Sequence, residues 1–297
     1  MVKKKKISAG DRTFHIAVLV IVLLMCVITL YPIYYMLIVS ISDGNAVLRG
    51  DITILPKGIN FGAYKAVLSN EYVPKAYLNT LIYTVAGTLV SVGMTALCAY
   101  PLSRKEFRAR GGIAMFFVFT MYFSGGLVPS YILVNSLLLT NTRWAMIIPS
   151  AMSTYNMIIC RTYMTNSIPD EMYEAAQIDG CTPWKYFLSI VTPLCKPILA
   201  VLTLYYGVAK WNDYYTAMIY LRDDALMPLT IVMKEILIQN KIDMTQIGNA
   251  SNLAKLQGMS ELLKYSTIVV ASLPVMLLYP LVQKHLVKGV MIGAVKG

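Results

Sequence analysis

Apolar positions in this chain fall in long blocks separated by short polar stretches. Thr13 to Ser42 contains no Asp, Glu, Lys or Arg, and residues 76–103 are equally free of charge. About 20 apolar helical residues cross a bilayer, so each block predicts a span. A third span is expected over roughly 112–134 and a fourth over roughly 144–165, bounded by Arg143 and Arg161 and containing Pro149. A fifth runs from near Tyr186 to about Ala209, with Lys196 and Pro197 in its first turns, and a sixth over about 265–283, with Pro274 and Pro280. Gly125-Gly126 and Pro129 predict a break or kink near the outer end of the third.

The polar stretches orient these blocks. Arg104, Lys105, Arg108 and Arg110 follow the second block and assign that loop to the cytoplasm. This gives an all-α polytopic membrane protein with six transmembrane helices and both termini inside. The expected organisation is a cytoplasmic start over 1–12, a first span over 13–42, an external segment over 43–75, a core over 76–284 and a cytoplasmic tail over 285–297. Within the core lie a cytoplasmic loop, 167–185, and an external segment, 210–264. Four Lys or Arg between 43 and 75 depart from the charge rule, which long external segments obey poorly. The basic start Lys3–Lys6 before an apolar run raises a cleaved leader, with Ser40-Ile41-Ser42 as a small-x-small site. A leader's apolar region is roughly 7–15 residues, so an uncleaved span is the better reading.

One polar stretch, Ser167 to Pro197, interrupts the apolar sequence inside the cytoplasmic part. Ser167 with Asp170 three residues on is expected to cap a helix over 168–179, with Pro169 in its first turn. Asp170, Glu171 and Glu174 place negative charge near its positive end. Gly180 suits the left-handed turn that stops it, and Thr182-Pro183 reads as the start of the next helix.

Composition narrows the chemistry. The 297 residues are 57% hydrophobic and 14% charged, against about 25% charged in soluble domains. The net charge of +11 sits largely in runs flanking apolar blocks, so no nucleic-acid partner is expected and membrane lipid is. Five cysteines lack any Cys-x-x-Cys pair and read as packing residues, and the histidines His15 and His285 as interfacial. The chain has no phosphate-binding glycine loop, no His-Glu-x-x-His and no Gly-x-Ser-x-Gly, so neither a metal site nor an enzyme is expected. Ionisable residues are scarce inside the spans, which argues against an ion-coupled carrier. With 21 Tyr, and Asn79, Asn135 and Asn156 among neutral polar groups, the pathway suits sugars, whose rings stack and whose hydroxyls bond.

Glu174-Ala175-Ala176, three residues, Gly180, nine residues, Ile190, two residues and Pro193 resemble the EAA motif of ABC-importer permeases. Thr192 stands where that family usually has Leu. The tail from Lys288 to Gly297, with Gly125-Gly126-Leu127-Val128-Pro129 and Trp211-Asn212-Asp213, is similar to maltose-type carbohydrate permeases, especially the polygalacturonan and rhamnogalacturonan group. The resemblance implies the type I ABC importer permease fold in the bacterial cytoplasmic membrane. It also implies a second, different permease subunit, an ATPase dimer and an external solute-binding protein, with ATP and Mg held by the ATPase and no cofactor on this chain.

By the same resemblance Glu171, Glu174, Ala175, Ala176, Asp179 and Gly180 form the coupling helix that docks on the ATPase. Candidates for the solute path are Tyr122, Asn156, Trp211 and Asn212. The expected function is carbohydrate import by alternating access, the cargo being an oligosaccharide from plant cell walls. Import of another solute, such as peptide or amino acid, and a non-transporting scaffold or sensor role remain as alternatives.

Overall fold

A computed structural model describes residues 9–242 and 257–277. The tail that carries part of the resemblance, and His285, lie outside these residues. The first helix, α1, spans Ala9–Ser40, followed by the short helices α2 (Gly44–Leu48) and α3 (Gly62–Leu68). Then come α4 (Tyr72–Ser103), α5 (Arg110–Tyr122), α6 (Leu127–Ser136), α7 (Thr154–Ser167) and α8 (Asp170–Ile178). A bent segment follows, made of α9 (Pro183–Tyr186), a π-helical turn (Phe187–Val191), α10 (Thr192–Leu194) and α11 (Lys196–Trp211). The remaining helices are α12 (Tyr215–Tyr220), α13 (Leu229–Ile242) and α14 (Gln257–Leu277).

Two compact units divide the chain: residues up to Asn70 with 236–271, and residues 71–235 with those from Ser272 on. In the first, Asp43 caps α2 by accepting from the amides of Asn45 and Ala46. Gly44 and Gly258 meet backbone to backbone, and a Cβ on Gly44 would sit 2.7 Å from the Gly258 carbonyl carbon. Ser40 and Ser42 are fully buried, with the Ser40 hydroxyl 2.7 Å from that of Tyr64.

The second unit is built on α4, which packs along both α7 and α11. Small and hydroxylated residues on α4 (Gly87, Thr88, Ser91, Thr95, Ala96, Ala99) are buried and let those helices approach. At the start of α4, Asn79 donates to the carbonyls of Ala225 and Met227, Tyr83 donates to that of Leu226, and the Thr80 hydroxyl accepts from the amide of Leu229. The polar segment 222–229 is thereby pinned to the helix.

Among the described residues three helices are long and apolar enough to cross a membrane: Gly10–Ser40, Tyr72–Ser103 and Gln257–Leu277. Counting each of two bent helix pairs as one span brings the number to five. α5 and α6 meet at 116° across Gly126, whose φ of 85° is open to glycine at little cost, so the break falls at the expected glycines. The segment Pro183–Leu194 meets α11 at 79° around Cys195. Pro193 and Pro197 each remove a backbone donor there, and the π turn accommodates the misfit, with the Thr192 hydroxyl donating to the Phe187 carbonyl.

The span expected over 144–165 takes a different form. Only Thr154–Ser167, 14 residues, is α-helical, capped by the Ser153 hydroxyl. Before it lie a 3₁₀ turn, Arg143–Met146, and irregular backbone through Pro149. Such backbone needs protein partners in a membrane. Lys210 supplies them: its Nζ donates to the Met146 carbonyl at 2.8 Å and to the Ser150 hydroxyl. One turn earlier on α11, the Tyr206 hydroxyl accepts from the Ser153 amide at 3.0 Å and bonds the Thr95 hydroxyl at 2.7 Å. α11 extends to Trp211, beyond the expected limit near Ala209, so this buried lysine belongs to the span after all. Gly87 makes room for its stem, since a Cβ there would lie 3.0 Å from the Lys210 Cε.

Candidate functional site

α8 is nine residues long, and its two faces differ. Ala176 is buried and Tyr173 half-buried on one side. On the other, Glu171, Glu174, Ala175 and Ile178 fall at helical positions i, i+3, i+4 and i+7, and all four are exposed. Ile178, at 87% exposure, ends this acidic face with an unburied apolar side chain. The sequence reading did not single it out. The carboxylates of Asp170 and Glu171 lie in the first turn, where the helix dipole favours them.

The expected serine cap is not how this helix begins. Ser167 is the last residue of α7, and Pro169 occupies the N-cap position with no side-chain hydrogen bond. The helix end follows expectation more closely. Asp179 is the C-cap, Gly180 has φ 72°, the Gly180 amide donates to the Gln177 carbonyl, and the Cys181 amide donates to that of Ala176. That double bond pattern is a Schellman stop. Thr182 then caps α9 by accepting from the Lys185 amide, with Pro183 at the first helical position.

The inner face of α8 rests on residues that the sequence reading used only as a topology mark. Arg104 is the C-cap residue of α4 and its side chain is 9% exposed. Its guanidinium lies 4.5 Å from the Tyr173 ring centre and 5.8 Å from that of Tyr186, and its nitrogens reach Glu106 at 3.5 Å and Asp170 at 4.0 Å. Tyr173 and Tyr186 meet edge to face at 5.0 Å. Lys105 adds an exposed ion pair with Asp170 at 2.8 Å. That hydrogen bond holds the Asp170 carboxyl below its usual range and lifts the Lys105 ammonium above its own. A cleft of about 310 Å³ between Tyr100, Arg104, Thr165 and Asp170 borders the arrangement. The signal for Arg104 was its position as the first cation after an uncharged block of 28 residues, 76–103.

The residues proposed for a solute path are not assembled into one site. Tyr122 is 78% exposed at the end of α5, and Asn156 is buried in the first turn of α7. Trp211 is buried with its ring 5.6 Å from that of Tyr77, and the exposed Asn212 donates to the Val208 carbonyl at the end of α11. None of them lines the cavity of about 630 Å³ at the α5–α6 break, whose polar lining comes from Ser124, Ser130, Ser150, Tyr215 and Thr216.

The profile of the binding-protein-dependent transport system inner membrane component family matches residues 60–292, most of the chain and all of α4 to α14. The chain belongs to this family. It is therefore a membrane permease subunit of the ABC-importer type, a multi-pass component of the cytoplasmic membrane. The permease is 35% identical to the polygalacturonan/rhamnogalacturonan transport system permease protein YtcP of Bacillus subtilis, over 97% of this chain and 99% of that one. It is also 35% identical to protein LplC of the same organism, over 91% and 90% of the two chains. Among solved structures it resembles a chain of a bacterial ABC transporter involved in the import of the acidic polysaccharide alginate, with a TM-score of 0.83, 32% identity and coverage of 95% and 99%. In the permease, then, α8 is the helix that carries the EAA residues, exposed on one face and anchored on the other.

Proposed function

We propose that this permease pairs with a second, different permease subunit to form the pathway of an ATP-driven carbohydrate importer. A separate ATPase dimer hydrolyses ATP with Mg, and an external binding protein delivers the sugar. The cargo is an oligosaccharide released from plant cell walls, a reading supported by the relative named for polygalacturonan and rhamnogalacturonan, while the solved relative named for alginate supports an acidic polysaccharide more broadly. Both termini lie in the cytoplasm, as does α8.

The observation that carries this reading is the exposed face of α8. Glu171, Glu174 and Ala175 sit together there with Ile178, while the opposite face is fixed to the core. Glu174 pairs with a basic group of the ATPase, Ala175 allows close approach, and Asp179 and Gly180 set the turn. Closure of the ATPase dimer then carries α8 with it and opens the spans outward. Glu174→Lys reverses one partner of the charge pair, so uptake should fall by more than about tenfold while the chain still inserts and assembles. Wild-type uptake by an assembled Glu174→Lys importer would remove the assignment.

A further inference from the structure

We infer that Arg104 is the joint that delivers movement of α8 to α4 and through it to the transmembrane core. The inference rests on the coupling role proposed for α8 and adds to it the route by which the motion travels.

α8 is attached to the rest of the chain through two non-helical links, Ile168-Pro169 on one side and Asp179 to Thr182 on the other. A push on its exposed face could be lost in those links. A third connection is not covalent. Tyr173, the residue before Glu174, turns its ring onto the guanidinium of Arg104, which directly follows the last residue of α4. The same guanidinium faces Tyr186, fully buried in α9, and reaches Asp170 in the first turn of α8. One side chain therefore touches the entering end of α8, its middle, and the helix that leaves it.

The chemistry suits a mechanical contact. A buried cation costs free energy unless it is paired, and here two ring faces and two carboxylates surround it. The guanidinium is planar and stacks on rings, which a lysine ammonium at the same place cannot do as well. Among the described residues the Tyr186 hydroxyl and Arg104 Nε are buried without a hydrogen-bond partner, so the ring and charge contacts hold the cluster. Lys105 differs, since its side chain is 70% exposed and its bond to Asp170 is screened by water. On the other side of the joint, α4 packs along α7 and α11, so a displacement of Arg104 moves the helix at the centre of the unit.

The test uses the whole importer in lipid vesicles: this chain, its partner permease, the ATPase and the binding protein, with radiolabelled oligogalacturonate as the probe. The readout is sugar taken up per ATP hydrolysed, a ratio that a change in folding yield alone does not move. Arg104→Gln and Tyr173→Leu should each lower the ratio by about tenfold, the effect open to a desolvated cation–π contact. Arg104→Lys should fall between them and wild type. Should Arg104→Gln not assemble, Tyr173→Leu carries the test, because it keeps the guanidinium and its carboxylates. Wild-type ratios for assembled Arg104→Gln or Tyr173→Leu, beside a Glu174→Lys importer that has lost uptake, would overturn the joint and leave the coupling role standing. Undiminished uptake by Glu174→Lys would instead strike the coupling role itself.

Discussion

Arg104 and Lys105 are neighbours in sequence with the same sign of charge, yet they meet α8 in different ways. Arg104 is enclosed by rings, whereas Lys105 binds Asp170 at the surface. The Lys105–Asp170 pair has a definite pH signature. The Asp170 carboxyl titrates below its usual range, so its stabilising contribution is complete above that range and is lost as pH falls through the lowered value. Lys105 titrates above its usual range, so its contribution is complete below that range and is lost as pH rises through the raised value. Protection of the 167–185 loop from proteolysis should therefore be flat from about pH 5 to about pH 8. In Lys105→Ala the acid limit of protection should move up towards the ordinary carboxylate range, and an unmoved limit would deny the pair any part in holding α8. That Glu174, Ala175 and Ala176 share one short helix stopped at Gly180 could be read directly from sequence because their spacing is itself the signal. Arg104, Tyr173 and Tyr186 could not, since they meet only after α4, α8 and α9 are folded together. Ser167 misled because a serine before Asp170 matches a cap in sequence, while in the structure it closes the preceding helix.

The helices follow the hydropathy pattern where backbone geometry is encoded locally, and depart from it where distant side chains decide. The α5–α6 break was legible because only glycine takes φ 85° freely. The 79° bend at Cys195 was only half legible: Pro197 was seen, but was read only as part of the first turns of the fifth span. The irregular stretch before α7 left only Pro149 as a trace in sequence. Its residues are as apolar as a helix, and it is held out of helical form by Lys210 and Tyr206, more than fifty positions away. The end of α8 offers a test of the local kind. Gly180 has open space around its Cα, so Gly180→Ala meets no neighbour and acts through φ alone, at about 1 kcal/mol or slightly more. Affinity of the purified permease for its ATPase should fall by about fivefold to tenfold, and Gly180→Asn, which tolerates the left-handed region, should recover most of it. Equal binding by Ala and Asn variants would mean that the turn does not set the docking geometry.

The molecule as a whole is shaped by surfaces it leaves uncovered. None of the apolar window of α1 is buried within this chain, and most large apolar residues of α5 and α6 are exposed. Such surfaces belong against lipid or against other subunits. Composition alone showed the membrane character, and the charge runs gave the expected topology. The division into two units was not visible in sequence, because helix α14 begins in one and ends in the other. In the proposed function this chain is a gate driven through α8 when sugar arrives, with ATP hydrolysed by a separate subunit. The most direct test is ATP hydrolysis by the purified complex in lipid, with its binding protein empty or loaded with pectin-derived oligosaccharides. Stimulation by the loaded form alone is the expected result. Hydrolysis indifferent to every loaded sugar, in a complex that is intact, would contradict it.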